Sequence, residues 1–306
     1  MARIMILPCC SPNGMLNIFR RRLQAIQRLD AQRDHQRIVH WDVCYEFPFD
    51  TTRALEFALF RTYCVPRISG LLDRTCEFAK QPQKRYDDTD LIVSELLEWG
   101  YDSERGAQAL ARMNRIHGHF RIANADFLYV LSTFVFEPIR WNARFGWRAM
   151  GEPEKRALFY FWRAVGQRMG IKNIPADYAQ LEYFNLEYER QHFVFCESNR
   201  RIGDATCDLF ASWFPRPLQP VVRRVIYALL DEPVRLAFGF PKAPRGVRSV
   251  VIGALKLRAF VLQFWPARRK PRLRTMMRHS SYPRGYSLEQ TGPSYMHAIK
   301  DEQNHV

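Results

Sequence analysis

The chain has no cysteine framework, no membrane-crossing run and no strand pattern. Its seven cysteines lie scattered at Cys9, Cys10, Cys44, Cys64, Cys76, Cys196 and Cys207, an odd number with no C-x-x-C. That spacing argues against a disulfide scaffold, a zinc ribbon and covalent c-type haem attachment, and leaves reduced thiols as the expectation. The best apolar run, Phe127 to Ile139, stops at 13 residues where roughly 18 are needed to span a bilayer. The apolar part of the opening "MARIMILPCCSPNG" is too short for a signal-peptide core. A protein that touches membranes with this sequence lies on them rather than crossing them. No segment alternates with period two between hairpin turns, so no sheet is expected. Nor is there an internal repeat, a low-complexity tract, a helix-turn-helix signature, a zinc finger or an aromatic RNP-type stretch, which argues against a nucleic-acid partner. Acidic residues are few beside basic ones, 31 against 46, for a net charge of +15. This balance suits an anionic partner such as a membrane surface or an acidic cofactor, or simply a basic surface.

What the sequence does have is helical periodicity nearly throughout. Helices are expected at 12–29, 50–72 with Pro66 kinking or ending it, 87–100, 102–122, 125–146, 152–170, 176–193, 202–213, 217–230 and 244–264. The segment 125–146 is apolar almost all round and should be a buried central helix. The fold class expected is all-α, in one domain. The stretch "RGVRSVVIGALKLRAFVLQFWPARRKPRLR" (245–274) mixes apolar and basic residues, then adds Trp265 and a cationic run. It reads either as an interfacial helix with an aromatic anchor or as a core helix with a solvated basic end.

One histidine sits on an apolar stripe. Leu110, Met113, His117 and Phe120 recur at steps of three or four, and Arg121 follows four residues after His117. His119 is rotated away. A lone histidine on such a stripe is ordinarily a core residue with one hydrogen bond; the other reading is a metal ligand shielded from water, with a cation nearby. In the preceding helix Arg85 lies four residues before Thr89 and shares its side if the helix begins early enough. Otherwise Arg85 is a surface residue and Thr89 an N-cap. His35, His40, His192 and His279 lack partner clusters.

The stretches "RMNRIHGHFRIANADFLYVLSTFVFEPIRW", "ALFYFWRAVGQRMGIKNIP" and "QPQKRYDDTDLIVSE" resemble the family of the MpaB oxygenases and the latex-clearing rubber oxygenases. "LDAQRDHQRIVHWDVCYEFPFD" and "YPRGYSLEQTGP" are similar to the MpaB branch. The likeness covers about residues 20–295, which implies a basic N-terminal extension at 1–19, a catalytic domain at 20–295 and a polar tail at 296–306. The resemblance implies a globin-like helical domain around haem b, an enzyme that cleaves carbon–carbon double bonds of isoprenoid or lipid-like chains with O2, and carbonyl products. It implies His117 as the iron ligand, Arg121 beside it in cofactor binding, and Arg85, Thr89 and Thr133 as catalytic residues near bound oxygen. Phe127, Phe134 and Phe136 are candidate walls of a substrate tunnel; nothing singles out Asp126 or Glu137 as a base.

Two departures from the family pattern stand out. Rubber oxygenases place a lysine before the distal threonine, where this chain has Asp88, so closure of the iron by lysine is not expected. MpaB-type relatives often carry an N-terminal membrane anchor, and none is evident here. The expectation is a cytoplasmic protein, or one peripheral on the cytosolic face of a membrane (the endoplasmic reticulum in a eukaryote), with possible membrane contact through 245–274. Rival readings are a non-catalytic or peroxidase-like haem protein and a peripheral lipid-binding helical protein.

Overall fold

The computed structural model describes residues 13–293 and residue 296. The extension's first twelve residues, and the proposed tail beyond residue 296, lie outside the described residues. The remainder is all-α: α1 (Asn13–Arg28), α2 (His35–Trp41), α3 (Pro48–Thr62), α4 (Pro66–Thr75), α5 (Glu77–Lys80), α6 (Pro82–Trp99), α7 (Glu104–Gly118), α8 (Asn124–Phe145), α9 (Glu152–Arg168), α10 (Tyr178–His192), α11 (Glu197–Ser212), α12 (Gln219–Leu229), α13 (Glu232–Phe238) and α14 (Arg245–Gln263). A π-helical turn, Asp42–Glu46, continues α2. Helix α1 runs through residue 20, so the boundary expected between extension and domain falls inside a helix.

Prolines stand in the first turn of six of these helices, and three of those starts shape the site. Pro66 ends the expected 50–72 helix and opens α4 in its first turn, where a missing N–H costs nothing. Pro48 and Pro82 open α3 and α6 in the same way. Helix α6 therefore begins five residues before the expected 87, because the cap-like "DD" lies inside it. Helix α7 starts at its expected cap, with Ser103 Oγ accepting from Gly106 N at 3.0 Å. It ends at Gly118, short of the expected 122, and Arg121 falls in the link to α8. Helices α2, α5 and α13 were not expected; each is at most seven residues, too short to show a period.

Helix α8 is the central element, as its composition implies. Leu128, Leu131, Val135 and Phe136 are buried in the main core with Leu96, Leu158, Phe161 and Val165. Helix α3 lies along α8, α6 pairs with α7, and α9 packs on both α8 and α2. The α6–α7 hairpin is tight. Gly100 closes α6 at φ +80°, and a Cβ on Gly106 would meet the Gly100 carbonyl oxygen at 1.9 Å.

Helix α6 also buries acids. Asp87, Asp88, Glu95 and Glu98 are all covered by the C-terminal segment 272–292. Asp88 accepts from Lys84 Nζ at 2.7 Å, from the Gly292 amide at 2.9 Å and from the Tyr282 hydroxyl. Glu98 accepts from Thr275 Oγ1 at 2.6 Å, and Asp87 from the Ser281 amide at 2.8 Å. The segment continues onto α7, where Arg112 Nε donates to the Thr291 carbonyl at 3.0 Å. It thus straps α6 and α7 together. Among the described residues no helix is long and apolar enough to cross a membrane.

Candidate active site

Because α6 begins at Pro82, Arg85 and Thr89 stand one turn apart on the same side. Thr89 Oγ1 donates to the Arg85 carbonyl at 3.0 Å, and the Arg85 guanidinium donates back to Thr89 Oγ1. Thr89 is therefore not an N-cap. The guanidinium lies 5.6 Å over the Phe78 ring. Among the described residues no carboxylate comes within ion-pair distance of Arg85, whereas Arg61, Arg148 and Arg274 all hold acids. A half-buried cation without a counter-charge is a standing site for an anion or a polarised oxygen.

His117 occupies the last turn of α7, and Phe127 of α8 packs edge-on against its ring at 5.3 Å. Its Nδ1 is buried with no hydrogen-bond partner. Burial, and after it the Arg85 cation, push its pKa down to about 4. The imidazole is thus neutral at pH 7 with an unused buried nitrogen, the state that a metal ligand requires. His119, by contrast, is exposed and bonds the Arg115 carbonyl at 2.7 Å.

Two clefts meet at the Arg85–Thr89 pair. The larger, a cavity of about 40 Å³, runs between α3 and α6 and is walled by Leu55, Val93, Phe134, Arg272 and Arg274. The smaller, about 30 Å³, is lined by Tyr63, Phe78, Arg85, Thr206 and Phe210. Glu56, Leu59, Tyr86 and Thr89 line both. Both clefts are narrow, far below the roughly 300–1,000 Å³ of a ligand-filled pocket. His117 lines neither.

The other expected residues divide. Thr133 is fully buried on α8, and its hydroxyl donates to the Val130 carbonyl at 2.7 Å. Arg121 is exposed in the five-residue link 119–123, off the helical face that was expected to carry it beside His117. Of the three candidate wall phenylalanines only Phe134 lines a cleft. Phe127 covers His117, and Phe136 turns to Tyr178, at 5.2 Å. Asp126 is held by Arg67 at 2.9 Å and Glu137 by Arg140 at 2.8 Å, so both carboxylates are occupied. Asp88 turns its carboxylate into the C-terminal strap.

Sequence reasoning missed Glu56. It is buried where the clefts join, and its Oε1 accepts from Tyr86 Oη at 2.7 Å and Arg53 Nη2 at 2.6 Å. Burial pushes its pKa up to about 7. The signal was present: an acid inside the apolar run "ALEFALF" of α3. Among the described residues no group of three His, Cys, Asp or Glu side chains is placed to hold a bare metal ion. A single imidazole suits a metal that brings its own equatorial ligands, as iron in a porphyrin does. The residues present fit such a group: one unpartnered neutral nitrogen, an uncompensated cation and an apolar surround.

Comparison with known proteins identifies an oxygenase family. A family model described as the catalytic domain of the ER-bound oxygenase mpaB/B′ and rubber oxygenases matches residues 64–278. The ER-bound oxygenase mpaB′ of Penicillium brevicompactum is 30% identical over 237 residues, 72% of this chain and 56% of that protein. The ER-bound oxygenase mpaB of Penicillium roqueforti is 30% identical over 210 residues, 63% of this chain and 70% of that protein. The chain thus spans little more than half the length of the first of these relatives. Latex clearing protein in its closed state shares the fold with a TM-score of 0.52 at 13% identity, over 87% of this chain and 77% of that one.

Proposed function

Because the chain belongs to the family of ER-bound mpaB/B′ oxygenases and rubber oxygenases, we propose that it is a haem-b-dependent oxygenase that splits a carbon–carbon double bond of an isoprenoid or lipid-like substrate with O2, leaving carbonyl products. The observation that carries this reading is His117: a buried ring nitrogen with no hydrogen-bond partner, kept neutral beside an unpaired arginine. Haem b, when bound, supplies the iron centre at which dioxygen is activated.

The chain's own residues then do the following. His117 would hold the iron through its unshared nitrogen, with Phe127 packed edge-on against its ring. Arg85 contributes a fixed positive charge in a water-poor place, where negative charge on oxygen is stabilised far more than in water. Thr89, tied to Arg85, orients that guanidinium and offers a hydroxyl at the junction of the clefts. Thr133, buried on α8 beside Phe134, would stand near bound oxygen, and Arg121, exposed in the link after α7, would meet a propionate. The larger cleft, with apolar walls in Leu55, Val93 and Phe134, would widen to take a hydrophobic alkene.

Oxygen consumption tests the reading. The haem-loaded protein should take up O2 only when a prenylated alkene is added, and carbonyl products should accumulate in step. Arg85→Ala should keep its haem and lose at least about tenfold in turnover, the loss expected for a fixed charge at a reacting centre. Normal turnover in that variant removes Arg85 from the site; no substrate-dependent uptake with any alkene removes the proposed reaction.

A further inference from the structure

Helix α14 departs from the rule for surface helices, which bury an apolar stripe and turn a polar face outward. Its inner side is apolar as expected: Ile252 and Leu255 pack against Ala54, Trp141 and Phe145, and Ala259 is buried. Its outer side is apolar too. Val250, Leu257, Val261 and Phe264 recur at steps of seven, four and three, and so lie on one face. Val250 is 71% exposed, Leu257 63% and Phe264 73%. Phe260 and Trp265 extend the same exposed surface, with Phe260 edge-on to Phe264 at 5.1 Å. So large an exposed apolar stripe marks an interaction surface.

The charge on this segment says what covers it. Residues 245–274 hold nine Arg and Lys and no Asp or Glu. Arg258 turns inward to Asp50, at 2.9 Å, while Arg248, Lys256, Arg268, Arg269 and Lys270 stay exposed around the stripe. A second copy laid on this face about a two-fold axis would set basic flank against basic flank, with no acid on the segment to separate them. An anionic headgroup layer over an acyl interior satisfies both the cations and the stripe. Trp265 at the helix end, followed by cations, is the arrangement that interfacial helices use at headgroup depth.

We propose that the outward face of α14, with the cationic run behind it, seats the protein on the surface of an anionic lipid bilayer. The helix lies in the interface plane, with Leu257, Val261 and Phe264 in the acyl boundary and Lys256 and 268–270 among the headgroups. This seating stands apart from the haem chemistry, because it rests on α14 alone. It does place Arg272 and Arg274, which wall the larger cleft, close behind the docked segment.

Vesicle sedimentation with the full chain tests it. The protein should partition at least about tenfold more strongly onto phosphatidylcholine vesicles carrying about one-third phosphatidylserine than onto phosphatidylcholine alone, and the difference should shrink in high salt. Leu257→Asp with Phe264→Asp should abolish that partition and leave the thermal midpoint unchanged, since both side chains are exposed. Independently of folding, brominated lipid should quench tryptophan fluorescence of the unaltered protein, and Trp265→Phe should remove most of that quenching. Absence of vesicle binding by the unaltered protein overturns the proposal, as does undiminished binding by the double variant. A dimer in sedimentation velocity that the double variant dissociates, with no vesicle binding, overturns it in favour of a second copy.

Discussion

At the scale of single residues, Glu56 carries a pH signature. Burial raises its carboxyl from the ordinary 4.5 to about 7, so the folded protein holds a proton there that the unfolded chain has released. Between those values the folded state binds more protons, and linkage makes the stability contributed by Glu56 fall as pH rises through about 7. Glu56→Gln should flatten that part of the curve, read as a urea midpoint that no longer declines between pH 5 and pH 8; an unchanged decline would place its origin elsewhere. His117 shifts the other way, and for a different end. Its depressed pKa keeps the ring neutral, which serves ligation. The histidine was legible in the sequence because an imidazole interrupts an apolar stripe. Its lowered pKa was not, because it follows first from burial in the assembled fold and then from Arg85, which stands on another helix.

At the scale of elements, the α6–α7 hairpin fixes how His117 faces Arg85. The hairpin depends on glycine at the contact, since any Cβ at Gly106 would strike the Gly100 carbonyl. Gly106→Ala should therefore cost about 1–3 kcal/mol, the usual range for overpacking, and should loosen haem retention along with stability. Denaturant unfolding of the apo and haem-loaded protein measures both; a neutral effect on each would show that the hairpin yields freely. Helix type and order could be read from periodicity, caps and prolines. Boundaries failed where two signals competed. "DD" at 87–88 looked like a cap, but Pro82 won, and that gain put Arg85 inside the helix with Thr89. Gly118 ended α7 before Arg121, which periodicity alone had carried onward.

At the scale of the whole molecule, the C-terminal strap joins α6 and α7 through acids that a sequence reader assigns to solvent. Their partners lie nearly 200 positions away, and no local pattern announces them. Asp88 shows the consequence. The residue that stands where rubber oxygenases have lysine is spent on Lys84, Tyr282 and Gly292. Asp88→Ala should cost about 3–5 kcal/mol by stranding its buried partners, and should free the strap to proteolysis after residue 272. Intact protease resistance in that variant would mean that the strap is held elsewhere. The clefts belong to this scale as well, since α3, α6, α11 and the strap must assemble before they exist.

The visible spectrum of the purified protein, expressed with ample haem, tests the central claim most directly. The account predicts a Soret band, a haem b pyridine haemochrome at one equivalent per chain, and loss of both in His117→Ala. A colourless protein, or a His117→Ala variant with an unchanged haem spectrum, would contradict it.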